Sequence, residues 1–310
     1  MLIDCSVGII AYNEESNIGL LLESLLSQKL SAISLREIIV VASGCTDNTV
    51  EIASSFLKRD PRIKILTQKK REGKASAINL FLKNSLSDIV VILNADLLLK
   101  EDTLQKLIEP FFEPKVGMTG GRAIPVDKKD NLMGFAANLL WELHHEISLK
   151  FPKLGELVAY RRIKDLNFPS DTVDDEGIVE ALITGCGYAI KYVPQAIFYN
   201  KGVRYPSEFI RRRRNIFAGH LQLRHRTSYA VSTIDPKKLF VALFLRLFRI
   251  ASKDFRNFFW TAAVVLLELS ARILAIYDFY ILKKDHSIWE VAKSSREVRY
   301  DKINFGNSSI

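Results

Sequence analysis

Between Leu86 and Leu99 the chain reads L-S-D-I-V-V-I-L-N-A-D-L-L-L. Ile89–Leu93 is continuously apolar rather than alternating. That is the pattern of a parallel strand buried on both faces, which exists only inside a layered α/β domain. The run ends abruptly in Asn94-Ala95-Asp96. A carboxylate at the carboxyl end of such a strand lies where open α/β sheets bind ligands. A hard divalent cation bridging to phosphates needs one or two carboxylates at such a place. The plainer reading of Asp96 is a cap for a turn or for the helix that begins near Glu101.

The residues before this run repeat the alternation. Ser6–Ala11 is a first strand, and Ile18, Leu21, Leu22, Leu25 and Leu26 recur at helical spacing behind it. Glu37–Val41 is a second buried strand, followed by a helix through Val50, Ala53 and Leu57 that Asp47 or Thr46 can cap. Arg62–Thr67 is a short third strand, and Lys69–Ala75 is a basic, glycine-broken loop before a helix over Ala75–Leu82. Strands and helices alternating in this way make a doubly wound α/β half. Its first strand–helix loop lacks G-x-G-x-x-G, and no G-x-x-x-x-G-K-[ST] occurs, so a dinucleotide dehydrogenase or P-loop enzyme is disfavoured.

Composition narrows the partners. Lys and Arg outnumber Asp and Glu by 44 to 35, a formal net charge of +9, and the excess concentrates after Lys201. Such a balance favours an anionic partner: a nucleotide, a nucleic acid or an acidic membrane surface. Cys5, Cys45 and Cys186 are odd in number and far apart, which suits a reducing compartment and no disulfide framework. The N-terminus has no basic stretch followed by an apolar one, so no secretory signal is expected.

Four strings fall in a fixed order: A-Y-N-E-E-S-N-I at 11–18, I-V-V-A-S-G-C-T-D-N-T at 39–49, G-K-A-S-A-I-N at 73–79 and L-N-A-D at 93–96. Together they resemble the inverting family-2 glycosyltransferases of the GT-A fold. The resemblance implies a Rossmann-like mixed sheet flanked by helices. It implies that the turn Ala11, Tyr12, Asn13 and Glu14 holds the base and ribose of a nucleotide-diphospho-sugar, that Ser43 finishes that pocket, and that Lys74 lies close to the nucleotide. Asn94, Ala95 and Asp96 become the D-x-D element, with Asp96 directing Mg²⁺ or Mn²⁺ onto the diphosphate. The chain departs from the family where Ala42 and Ser43 replace an expected Asp and where Asn94 replaces the first acid of D-x-D. Against these roles stand plainer ones: Tyr12 and Asn13 shaping a turn, and Lys74 as a solvated surface lysine.

Further on, Leu104–Glu109 reads as an amphipathic helix and Val116–Ala123 as a strand with flexible glycines, and Asn131–Leu149 reads as a helix. His144 and His145 on that helix point about 100° apart and are read as surface or groove residues rather than metal ligands. Asp174, Asp175 and Glu176 precede a helix whose apolar positions lead to Gly187-Tyr188. Carboxylates there can serve purely as caps. The resemblance instead implies that an acidic pair in this place carries the catalytic base. Asp175 and Glu176 match it best and nearly equally, with Asp174 third.

Tyr188–Tyr199 reads as a strand pair or strand-and-loop that closes the sheet. Arg211–Arg214 can be a nucleic-acid patch or the solvated side of a helix. The family places Q-x-x-R-W here. Arg212, Asn215 and Ile216 stand in its register, so Arg213 or Arg214 is left to neutralise the diphosphate. Leu239–Ile250 and Phe258–Leu282 are apolar runs with scattered charges, flanked by Lys237-Lys238 and Lys283-Lys284. Interfacial helices with snorkelling arginines fit them better than a spanning helix, and packing on the catalytic domain or on a second subunit is the alternative.

The expectation is a catalytic domain over 1–230 and a helical, apolar and basic membrane-association segment over 231–310. The function expected is inverting, metal-assisted sugar transfer to a lipid-linked or cell-surface glycan acceptor at the cytoplasmic face of a membrane. No nucleic acid is expected as partner, and a homo-oligomer is left open. The rivals are a nucleotidyltransferase of similar fold and a catalytically degenerate scaffold. The first needs a Gly-rich basic loop after the first strand, where Ala11–Glu15 is acidic.

Overall fold

A computed structural model describes residues 2–232, 255–289 and 292–295. One mixed sheet of eight strands organises them, in the order β3-β2-β1-β4-β7-β6-β8-β5. The strands are β1 Ile3–Ala11, β2 Ile33–Ser43, β3 Ile63–Gln68, β4 Ile89–Asn94, β5 Leu98–Leu99, β6 Val116–Pro125, β7 Leu157–Arg161 and β8 Ala189–Asn200. The first half is parallel, with β1 between β2 and β4. β7 then runs antiparallel to both β4 and β6, while β6 and β8 are parallel.

The continuous apolar runs divide between two layers, as the alternation of a pleated strand requires. Val7, Ile9, Ile38, Val40, Val91 and Leu93 pack with α1 (Ile18–Leu26) on one face. Ile39, Val41, Val90 and Ile92 pack with α3 (Lys74–Asn84) on the other. Here α3 lies close against β1: a Cβ on Gly8 would fall 2.6–2.8 Å from the Phe81 ring. The helix α2 (Thr49–Ser55) follows β2 with Asn48, not Asp47 or Thr46, at the N-cap position; Asp47, one residue before it, accepts the backbone N–H of Thr49 at 3.1 Å.

One strand is added and one expectation changes. β7 is a strand that the pattern of L-V-A-Y-R does not announce, and the stretch before Tyr199 is one long strand rather than a pair. The remaining helices are α4 (Thr103–Ile108), α5 (Leu132–Ser148), α6 (Asp175–Gly185), α7 (Pro206–Thr227) and α8 (Phe255–Tyr277). A π-helical turn, Asp278–Leu282, extends α8, and the combined helix of 28 residues is long and apolar enough to cross a membrane by length and composition.

Helix α8 packs across α5 and α7, with Val264 in a cluster that also holds Met133, Leu139, Leu143 and Phe209. Glu268 and Arg272 turn towards the protein, whereas Arg256 near the helix start is exposed. Glu268 is buried and accepts from Arg213 at 2.7 and 3.0 Å and from Arg272 at 3.0 Å. Asp278 is fully buried and accepts from both ends of the Arg214 guanidinium, with His286 Nε2 3.0 Å away. The opposite face, including Phe259, Leu266, Ile273 and Ile281, is exposed. Leu239–Ile250, Lys237-Lys238 and the tail from Asp301 lie outside the described residues.

Candidate active site

The ends of β1, β2 and β4 and the starts of α3 and α6 meet at one cavity of about 730 Å³. Ala11, Tyr12, Glu14, Ser43, Lys74, Asn94, Ala95, Asp96, Asp174, Asp175 and Glu176 all border it. This is the crevice at the carboxyl ends of the strands where an α/β sheet leaves backbone groups and loops for a ligand.

Asn13 is not on the cavity wall, and its task is to shape the loop beside it. Its φ of 55° lies in the left-handed region, which Asn tolerates better than most side chains. Its carbonyl oxygen accepts the Thr46 N–H at 2.7 Å and its amide donates to Thr46 Oγ1 at 3.1 Å. Glu14 N–H donates to Thr49 Oγ1 at 2.7 Å. These bonds tie the β1 loop to the β2 loop and so present Tyr12. Its ring carries the Arg71 guanidinium 4.1 Å from its centre. Arg71 also donates to the Trp289 carbonyl at 2.5 Å, which brings the segment after α8 onto the same wall.

The acidic run before α6 separates into two tasks. Asp174 caps the helix, accepting the Gly177 N–H at 2.9 Å, and its other oxygen lies 3.6 Å from His220 Nε2. Burial holds that imidazole down to about 4, so it is neutral near pH 7. Asp175 and Glu176 instead share Lys74, whose Nζ lies 3.1 Å from Asp175 Oδ2 and 2.9 Å from Glu176 Oε1. Lys74 is therefore not a solvated lysine.

Environment splits the pair. Burial and the neighbouring Glu176 charge push Asp175 up to about 7, against the pull of Lys74. Burial also penalises Glu176, but Lys74 and Lys153 outweigh it and hold that carboxyl at about 2. A carboxyl near neutrality has the proton affinity that suits a general base at working pH. Behind them Glu180, fully buried, accepts the Leu154 N–H at 2.8 Å and pairs with Lys153 at 3.3 Å, anchoring α6 from below.

The arginines of α7 differ from expectation. Arg213 lines the cavity but is held by Glu268, and Arg214, which is not on the cavity wall, is held by Asp278. Both guanidiniums bind α8 and its extension rather than standing ready for a diphosphate. Arg212 donates to Glu156 at 2.6 Å. Glu156 itself takes a left-handed φ of 59° and also accepts from Asn200 at 2.5 Å. Arg71, Lys153, Glu156 and His220 border the cavity without any sequence signal beyond their type. His144 faces the cavity, edge-to-face with Trp141 at 5.1 Å between ring centres, and His145 bonds the Tyr192 hydroxyl at 2.9 Å, which suits groove residues.

Among the described residues no group of three or more His, Cys, Asp or Glu side chains could hold a metal ion by itself. The donors at the end of β4, the Asp96 carboxylate and the Asn94 amide, are hard oxygen ligands bordering the cavity. That set fits a Mg²⁺ or Mn²⁺ ion that takes its remaining ligands from substrate phosphates and water.

Residues 6–163 match the family model described as glycosyl transferase family 2. The chain belongs to that family. The glycosyltransferase GlyG of Streptococcus pneumoniae is 29% identical over 125 residues, 40% of this chain and 40% of GlyG. A poly-β-1,6-N-acetyl-D-glucosamine synthase of Staphylococcus epidermidis is 27% identical over 198 residues, 60% of this chain and 47% of the synthase. The chain thus spans less than half the length of either. A mannosyltransferase from Pyrobaculum calidifontis, solved with GDP-Man and Mn²⁺, superposes with a TM-score of 0.64 at 21% identity, covering 88% of this chain and 87% of that one. The fold is therefore of the GT-A type, as the sequence motifs implied.

Proposed function

We propose that this family-2 protein transfers a sugar, with inversion, from a nucleotide-diphospho-sugar to a hydroxyl of a lipid-linked or cell-surface glycan acceptor. The carrying observation is that the Lys74–Asp175–Glu176 cluster and Asp96 border the same strand-end cavity. Asp175 is the base: it accepts the proton of the acceptor hydroxyl as that oxygen attacks opposite the leaving group. Glu176 remains ionised and holds Lys74 in place. Lys74 brings positive charge beside the departing diphosphate, where charge develops in the transition state. Asp96 and Asn94 would hold Mg²⁺ or Mn²⁺, which when bound neutralises the diphosphate. The relative solved with GDP-Man and Mn²⁺ supports this kind of donor and metal.

The catalytic unit proposed is roughly residues 1–230, with the segment 231–310 serving membrane association. The exposed apolar face of α8 and the lysine pair Lys283-Lys284 after it suit an anionic cytoplasmic leaflet. The test is a calorimetric and thermal-shift screen of nucleoside diphosphates and nucleotide-sugars, with and without Mn²⁺, on the wild type and Asp96→Ala. Metal-dependent binding of one nucleotide class, lost in the variant, supports the donor site and names the base. Absence of binding by any nucleotide points to a degenerate scaffold.

A further inference from the structure

We infer that the part of the cavity between α5 and α8 seats an aliphatic chain carried by the acceptor. The inference rests on the transferase reading above, because it takes Asp175 as the point that the acceptor hydroxyl must reach. The cavity is bordered by residues of the β1, β2 and β4 loops and by Asp175 and Glu176. It is also bordered by two helices, whose apolar contribution is Met133, Leu140 and Trp141 from α5, and Val264, Val265 and Leu269 from α8. Whatever fills that space while a hydroxyl meets Asp175 belongs to the acceptor.

The wall decides the chemistry of that portion. Sugar hydroxyls placed there would surrender water without gaining partners, whereas methylene groups gain by leaving water. Of the charged groups on the α7 and α8 sides of the cavity, Glu268, Arg213 and Arg272 are paired with one another. Leu269 supplies the route. It lines the cavity and is also 50% exposed, between Leu266 at 65% and Ile273 at 66% on the outer face of α8. That side of the cavity is thus continuous with the apolar surface of that helix, and a chain can enter sideways without crossing water. Acyl and prenyl chains share this chemistry.

The test uses the full chain in a Trp260→Phe/Trp289→Phe background, which leaves Trp141 as the sole tryptophan of the three in the sequence. Two probe series are titrated below micellar concentration: n-alkyl β-glucosides from hexyl to decyl, and geraniol, farnesol and geranylgeraniol. Binding is read from Trp141 emission. The expected result is affinity that climbs with chain length in at least one series, roughly fourfold per methylene for the alkyl glucosides. The stronger series names the chain as acyl-like or prenyl-like. Leu140→Asp and Leu269→Asp should each weaken that binding at least tenfold. Leu269→Asp, at a half-exposed position, guards against a folding defect in the other. Ile273→Asp, outside the cavity, should leave it unchanged.

Affinity independent of length in both series overturns the inference. So does an Ile273→Asp loss equal to that of Leu269→Asp, which would place the chain on the outer face. Nucleotide binding, measured in parallel on each variant, keeps the two readings apart. Retained nucleotide binding with a flat chain series sinks only this inference, whereas length-dependent chain binding without nucleotide binding sinks the transferase reading and with it the assignment of the chain to an acceptor.

Discussion

Replacing Lys74 with Met keeps the aliphatic stem and removes the ammonium that bridges Asp175 and Glu176 at 3.1 and 2.9 Å. A hydrogen bond to a charged group contributes about 1.5–3 kcal/mol. One pKa unit corresponds to about 1.4 kcal/mol, so the lost bond to Asp175 translates into about one to two units. The ammonium favours the ionised carboxyl, so its removal moves the midpoint of Asp175 upward from about 7. At pH 7 the ionised fraction of the Asp175 carboxyl should then fall. The measurement is a carboxyl-carbon NMR titration of the free protein, assigned with Asp175→Asn. A second readout is thermal stability: with the cation gone, ionising both carboxyls becomes costly, so Lys74→Met should lose more stability at pH 8.5 than at pH 5.5. A midpoint that stays at about 7 or falls, together with a stability loss independent of pH, would refute the account of how the pair is split. Loss of turnover alone decides nothing, because Lys74 also faces the proposed donor.

Glu268→Gln should destabilise the fold by about 3–5 kcal/mol at pH 7 in urea denaturation, because it strips a buried carboxylate from two arginines. Glu268 is held at about 2 by Arg213 and Arg272 against its burial, so its contribution is present above its unfolded pKa of 4.5 and the gap to wild type should close as pH falls from there towards 2. A gap unchanged at pH 3 would count against the ion pair. Gly8→Ala should cost about 1–3 kcal/mol in Tm-derived stability by driving a methyl into Phe81, and Phe81→Leu in the same chain should return part of it. In flotation with anionic vesicles the wild type should rise with the lipid and Leu266→Asp/Ile273→Asp should stay below. Equal flotation of the two would remove α8 from the membrane reading.

Much of the site was legible because its pieces are local. Residues at the ends of β1, β2 and β4 and at the start of α3 sit where a continuous apolar run stops and a polar loop begins, and short loops keep them at the sheet's edge. β7 escaped notice because five residues, L-V-A-Y-R, carry too short a pattern, although its pairing with β4 brings Glu156 to the cavity. Arg213 and Arg214 were assigned to a ligand because type and spacing cannot name a partner. The one available signal was complementary charge: acids at 268 and 278 in an otherwise apolar stretch need buried partners, and α7 holds the arginines.

By itself the sequence determined the alternating strands and helices, the order of their loops and the acidic run at the start of α6, since hydrophobic periodicity and turn chemistry act over a few residues. The GT-A type was implied by the resemblance of its motifs. What separates the three consecutive acids exists only in three dimensions. Asp174 turns to the helix end and His220, while Asp175 and Glu176 are desolvated together around a lysine about a hundred positions earlier. Likewise only packing could decide that an apolar helix and its extension turn Glu268 and Asp278 inward onto α7 and close the far wall of the cavity. Burial and the field of distant charges set a carboxyl's affinity for its proton, and both exist only once the chain is folded.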